Sequence, residues 1–171
     1  SDATVVATVM SNLGFLIAMK DAGINVAKTA VGDRYVLENM LENNYTLGGE
    51  QSGHIIMREF SGTGDGLLTA LQLLCEMART KKSLKELSSI MQRFPQVLIN
   101  VSGVAKDKLE SSTAISTAVA KYESELGDAG RILLRASGTE PLVRVMVEAQ
   151  SDSIAKEIAE KLAKVVEEEL R

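Results

Sequence analysis

The chain has 171 residues, enough for one compact domain or two small ones. It is 45% hydrophobic and 25% charged, ordinary for a globular protein, and its formal net charge of −4 disfavours a nucleic-acid or anionic-membrane partner. There is no Trp, so aromatic stacking on sugars or bases is poorly supplied, and Cys75 is the only cysteine, which excludes an intramolecular disulfide and fits a reducing, cytoplasmic compartment.

Thr4 to Met10 reads as a buried strand that begins almost at once after Ser1-Asp2-Ala3, an abrupt start expected of a fragment. No apolar run reaches membrane-spanning length and no signal-peptide pattern precedes this strand. Asn12 to Ala22 follows as a helix with Leu13, Leu16, Ile17 and Lys20 at helical spacing and Gly23 as its stop. Ile24 to Ala30 is a second strand. Asp33 to Asn43 is a second helix carrying Val36, Leu37, Met40 and Leu41 on one face, with Asp33 suited to its N-cap. Tyr45 to Leu47, a glycine-rich loop and His54 to Met57 suggest strand, turn, strand. Gly66 to Arg79 is a helix with Leu67, Leu71, Leu74, Cys75 and Ala78 along one face, Cys75 being read as inert core packing. Ser83-Leu-Lys-Glu86 has the capping-box pattern and opens a helix that stops before Pro95. This β-α-β-α order predicts an α/β domain over residues 1–93.

The remainder, 94–171, predicts a small α+β layer of one sheet with two helices. Gln96 to Val101 is a strand, and Thr113 to Leu126 an amphipathic helix closed by Gly127. Arg131 to Ser137 and Leu142 to Ala149 are two strands, with Val143, Val145 and Val147 alternating against Leu142, Arg144 and Met146. Ser153 to Leu170 is a long helix with Ile154, Ile158, Leu162, Val165 and Val166 inward.

Four segments have the composition of binding sites. Arg135-Ala-Ser-Gly-Thr-Glu-Pro-Leu-Val-Arg144 sets two arginines and two hydroxyls around a glycine. Guanidinium forks bind phosphate oxygens bidentately. Ser137 and Thr139 add hydroxyl donors, and Gly138 would let backbone N–H groups converge on an anion as a nest. A polar hairpin turn is the plainer alternative. Gly48-Gly-Glu-Gln-Ser-Gly-His54 offers a flexible backbone, Glu50 as an acceptor for paired hydroxyls, Ser52, and the only histidine, His54, as a candidate acid or base. A glycine hairpin with surface polar residues would look the same. Val31-Gly-Asp-Arg34 lies where a strand gives way to a helix, a ligand-facing position in α/β folds, although capping alone would explain Asp33. Ser61-Gly-Thr-Gly-Asp-Gly66 lacks the lysine and serine of a P-loop and reads better as a loop capped by Asp65. No His, Cys or carboxylate cluster has metal-ligand spacing.

Gly49-Glu-Gln-Ser-Gly-His54, followed by Arg135-Ala-Ser-Gly-Thr-Glu-Pro141 and Arg144-Val-Met-Val-Glu148, resembles the α-D-phosphohexomutase superfamily. Thr8-Val-Met-Ser-Asn-Leu-Gly14 and Val31-Gly-Asp-Arg-Tyr-Val36 are most similar to its bacterial phosphoglucosamine mutase branch. Members have four domains. The resemblance implies most of the third, a sugar-binding α/β domain with a mixed sheet, in residues 1–93. It implies the whole fourth, a phosphate-binding domain with a TATA-box-binding-protein-like sheet and two helices, in 94–171.

The reaction so implied interconverts glucosamine 6-phosphate and glucosamine 1-phosphate through a bisphosphate, for amino-sugar nucleotide and cell-wall synthesis. Glu50 and Ser52 would contact sugar hydroxyls, with His54 beside the reacting hydroxyl. Gly32 and Asp33 would lie at the substrate-facing edge. Arg135, Ser137, Gly138, Thr139 and Arg144 would hold the phosphate that is not transferred. The family's phosphorylated-serine loop and its Asp-Gly-Asp-x-Asp-Arg magnesium loop are not in this sequence. The resemblance therefore implies that Mg2+ and the phosphoryl donor belong to N-terminal domains of the same chain, partners this piece requires besides its phosphosugar. A phosphomannomutase or phosphoglucomutase relative, and a free-standing phosphosugar-binding module, remain alternatives at this point.

Overall fold

The computed structural model describes residues 3–171. The chain divides into two units, the first running to Arg93 and the second from Phe94 to Arg171.

The N-terminal unit begins with β1 (Thr4–Thr8), α1 (Leu13–Asp21), β2 (Asn25–Thr29) and α2 (Asp33–Glu42). It continues through β3 (Leu47–Gly49), β4 (Ile55–Met57), α3 (Gly66–Thr80) and a single helical turn and a half, α4 (Leu84–Ser88). The sheet is mixed, in the order β2-β1-β3-β4. β1 pairs in parallel with β2 and β3, and β3 turns back antiparallel on β4. Parallel neighbours need long crossovers, which α1 and α2 supply. Val6, Val36, Met40 and Ile56 form the buried core where α2 packs on the sheet, with Ala27, Leu37 and Tyr45 around them.

Local chemistry sets the helix starts. Asn12, Asp65 and Ser83 each accept a backbone N–H from the first turn of their helix, Ser83 within a full capping box with Glu86. α2 departs from the predicted pattern. Its N-cap is Gly32, at φ 135°, and Asp33 is the first helical residue, accepting only from the neighbouring Arg34 N–H. An L side chain at position 32 would be strained in that conformation.

Gly14 marks a tight approach: a Cβ there would lie 1.8 Å from the Gln92 carbonyl oxygen. Backbone cannot swing aside as a long side chain can. Gly14→Ala is expected to destabilise the N-terminal unit by about 1–3 kcal/mol despite the better helix propensity of alanine. Urea unfolding of the variant checks this, and an unchanged midpoint would refute the contact.

The face predicted to bury α3 is instead open. Leu67, Leu71 and Leu74 are 73%, 52% and 57% exposed, and Cys75 is also exposed rather than packed in a core. Periodicity identifies an apolar face but not whether anything covers it. Val5, Ala7, Phe15, Leu47, Leu73 and Ile90 help line a cavity of about 810 Å³ in this unit.

The C-terminal unit contains β5 (Gln96–Ser102), a 3-10 segment Lys106–Ser111, α5 (Thr113–Leu126), β6 (Arg131–Ala136), β7 (Leu142–Glu148) and α6 (Asp152–Leu170). The antiparallel sheet has the order β5-β7-β6, so the last strand lies in the middle. Strand alternation sends Val143, Val145 and Val147 toward the helices, where they join Ile115, Ile132, Ile158, Leu162 and Val166. Ile154, predicted inward, is 42% exposed, and Ala155 and Ala159 occupy the buried side of α6 instead. On the opposite sheet face Glu148 is fully buried and takes a charge-assisted bond from Arg131 at 2.9 Å.

Candidate functional site

Two polar constellations take shape, one in each unit. In the N-terminal unit, the β3–β4 hairpin places Glu50 against the start of α2. Glu50 Oε1 accepts the Gly32 N–H at 2.9 Å. A carboxylate here serves the helix as a cap from outside it, meeting an unsatisfied N–H and the positive end of the helix dipole. The other oxygen, Oε2, lies 3.6 Å from His54 Nδ1, and the Glu50 side chain is only 9% exposed. Ser52 Oγ sits 3.0 Å from the same His54 nitrogen. The loop is closed by Glu50 N–H donating to the His54 carbonyl and Gly53 N–H to the Glu50 carbonyl.

The structure thus brings Gly32, Glu50, Ser52 and His54 together, although the sequence set them in separate candidate loops. Asp33 stands exposed beside them. The glycines do not all serve ligand approach, as composition suggested. A Cβ at Gly48 would meet Met40 Sδ at 2.6 Å and Val36 Cγ1 at 2.7 Å, so Gly48 is small to let α2 pack. The arrangement offers one exposed imidazole, one hydroxyl and one carboxylate already committed on one oxygen. It suits hydroxyl recognition and proton exchange at the imidazole. The nearby cavity is lined largely by aliphatic side chains and would not repay desolvation of a phosphate.

In the C-terminal unit, the antiparallel register sets Arg135 directly opposite Arg144. Like charges in that relation repel. Both guanidinium Nε atoms are buried without a hydrogen-bond partner. A buried, unused charged donor costs free energy, so two of them on directly opposed residues form a donor set that an anion would satisfy. The protein's own partner for Arg144 is weak: Glu140 Oε2 at 3.4 Å, with the Glu140 side chain 56% exposed.

The turn between these strands has its own economy of bonds. Ser137 N–H donates to the Leu142 carbonyl, Leu142 N–H to the Glu140 carbonyl, and Glu140 N–H to Ser137 Oγ at 3.3 Å. Ser137 is 3% exposed, so it braces the turn from within. Gly138 and Thr139 are exposed, and their N–H groups find no protein acceptor among the described residues. Gly138 does not have a positive φ, and a Cβ there would meet open space. The smallness of Gly138 leaves clearance beside the exposed N–H groups of the turn.

Sequence reading missed Lys106. Its ammonium donates to the Ser137 carbonyl at 2.6 Å and the Glu140 carbonyl at 3.2 Å. A single lysine 31 positions before its partner carries no periodic or motif signal, and only the fold delivers it. Among the described residues no three His, Cys, Asp or Glu side chains gather to hold a metal ion. No helix among them is long and apolar enough to cross a membrane.

Comparison with known proteins agrees with both units. Residues 1–94 match the family described as phosphoglucomutase/phosphomannomutase, alpha/beta/alpha domain III, and residues 98–165 match the C-terminal domain of the same family. The phosphoglucosamine mutase of Parafrankia sp. (strain EAN1pec) is 60% identical over 168 residues, 98% of this chain and 36% of that protein. That of Thermobifida fusca is 58% identical over 167 residues, 98% of this chain and 37% of that protein. The crystal structure of Aspergillus fumigatus N-acetylphosphoglucosamine mutase, in complex with GlcNAc-6P and magnesium, superposes with a TM-score of 0.84 over 99% of this chain and 39% of that one. At 20% identity, that likeness is one of fold. The chain spans little more than a third of the length of these relatives. It belongs to the phosphoglucomutase/phosphomannomutase family.

Proposed function

We propose that this chain is the substrate-recognition part of a phosphoglucosamine mutase, which interconverts glucosamine 6-phosphate and glucosamine 1-phosphate through a bisphosphate and so supplies amino-sugar nucleotide and cell-wall synthesis. The observation that carries the reading is the facing pair Arg135 and Arg144, each with a buried unpartnered Nε, beside two free backbone N–H groups. Three phosphate oxygens match that donor set. Arg135 and Arg144 bind the oxygens through charge-assisted bonds, Gly138 and Thr139 give backbone donors, and the Thr139 and Ser137 hydroxyls complete the shell.

In the N-terminal unit, Glu50 and Ser52 meet sugar hydroxyls, His54 exchanges a proton near the reacting one, and Gly32 and Asp33 border the sugar. Identity near 60% to bacterial phosphoglucosamine mutases supports the amino sugar as substrate. Magnesium, where the whole enzyme uses it, neutralises charge on the transferred phosphoryl group. Its ligands and the phosphoryl-carrying serine lie on other domains, consistent with the third of the relatives' length spanned here.

Titration with glucosamine 6-phosphate, followed by backbone amide NMR, tests this reading. Shifts are expected at Gly138 and Thr139, with glucose 6-phosphate bound more weakly. Equal response to both sugars would favour a phosphomannomutase or phosphoglucomutase relative, and no response would remove the clamp. A coupled assay on the chain alone is expected to show no turnover, because no group here donates a phosphoryl group. Measurable turnover would contradict the assignment as a recognition part.

A further inference from the structure

We propose that Lys106 is the positioning residue of the Ser137–Pro141 turn: it holds the Ser137 carbonyl on one side so that the Gly138 N–H is presented on the other, to a phosphate oxygen. This rests on reading Arg135 to Arg144 as a phosphate clamp. In a trans peptide unit the C=O and the following N–H point in opposite directions. Fixing the Ser137 oxygen against the Lys106 ammonium at 2.6 Å therefore fixes the direction of the Gly138 N–H.

The second bond, to the Glu140 carbonyl at 3.2 Å, ties the far side of the turn to the same ammonium. The Pro141 carbonyl is taken by the Gly103 N–H at 3.0 Å, so the segment after β5 grips the turn at three carbonyls. Lys106 itself stands on firm backbone, because the neighbouring Ala105 N–H donates to the Leu170 carbonyl at 2.8 Å. An ammonium on the carbonyl end also polarises the peptide unit and strengthens its N–H as a donor. Lys106 would thus raise phosphate affinity without touching phosphate.

The test titrates the full chain with inorganic phosphate and, separately, glucosamine 6-phosphate. Lys106→Met is expected to weaken both about tenfold, the loss of one well-aimed charge-assisted bond. It should also shift the Gly138 amide resonance in the ligand-free chain while core amides of β7 stay in place. Lys106→Arg, which keeps the charge and donors, is expected to bind within about threefold of the parent. Lys106→Gln serves the same comparison if the methionine variant does not fold.

The ratio of parent to variant affinity should persist as ionic strength rises, because a local bond is less screened than a distant charge. Binding by Lys106→Met within twofold of the parent, or a deficit that vanishes in salt, would overturn the proposal. Arg135→Ala separates the two ideas. If it too binds phosphate normally, the clamp reading fails. If it alone loses binding, only the role of Lys106 fails.

Discussion

Arg131→Ala is expected to destabilise the C-terminal unit by about 3–5 kcal/mol, because it removes one partner of a buried ion pair and leaves the other charge in the interior. Glu148 is 0% exposed, and both Nε and an Nη of Arg131 approach the same Oε2 at 2.9 Å. Removing the guanidinium removes a countercharge and leaves the desolvation of Glu148 in place. The backbone is closely packed beside the pair: a Cβ at Gly130 would fall 2.7 Å from the Glu148 carbonyl oxygen. The double variant Arg131→Met with Glu148→Leu is expected to recover most of the loss, since an apolar pair of similar volume avoids the charge burial. Urea denaturation read on C-terminal-unit amides measures both. A single-variant loss below about 1 kcal/mol would mean the pair is effectively solvated.

The second large effect concerns ligand rather than fold. Arg135→Ala is expected to weaken phosphate binding by about 1.5–3 kcal/mol, roughly ten- to 150-fold in Kd. Its effect on stability should run the other way. The native pair opposes two guanidinium groups across the β6–β7 ladder, with a buried unpartnered Nε on each. Removing one relieves repulsion and an unsatisfied donor, so the unfolding midpoint should hold or rise. Loss of binding without loss of stability is the signature of a group kept for its ligand. A variant equally destabilised and weakened would instead make Arg135 a structural residue, and calorimetry with thermal unfolding distinguishes the two.

The elements were most legible where a side chain both caps and ends a run. α5 spans Thr113–Leu126 as predicted, because Ser112 accepts the Ile115 N–H and Gly127 at φ 52° stops it. Arg135 and Arg144 were readable from composition as a candidate pair, but their opposition was not. It depends on a register that pairs Arg135 with Arg144, and one residue of slip would send them to opposite faces.

Asp33 was misjudged as a cap because a carboxylate supplied from 18 positions away, Glu50, already meets the Gly32 N–H. The openness of α3 escaped prediction because its apolar period is genuine, while Leu67 and Leu74 have no layer over them. Lys106 was invisible because its value lies in two carbonyls it reaches only after the sheet has formed.

The order β5-β7-β6 has a consequence for how the unit assembles. β7 joins β6 across residues 137–141 but joins β5 across residues 103–141. Closing the shorter loop costs less chain entropy, so the β6–β7 hairpin is the cheaper first step and β5 docks afterwards. The turn with which the sheet starts is the turn proposed to cradle phosphate. Its residues answer to two timescales at once, the speed at which the chain finds its shape and the residence of a ligand in the finished one.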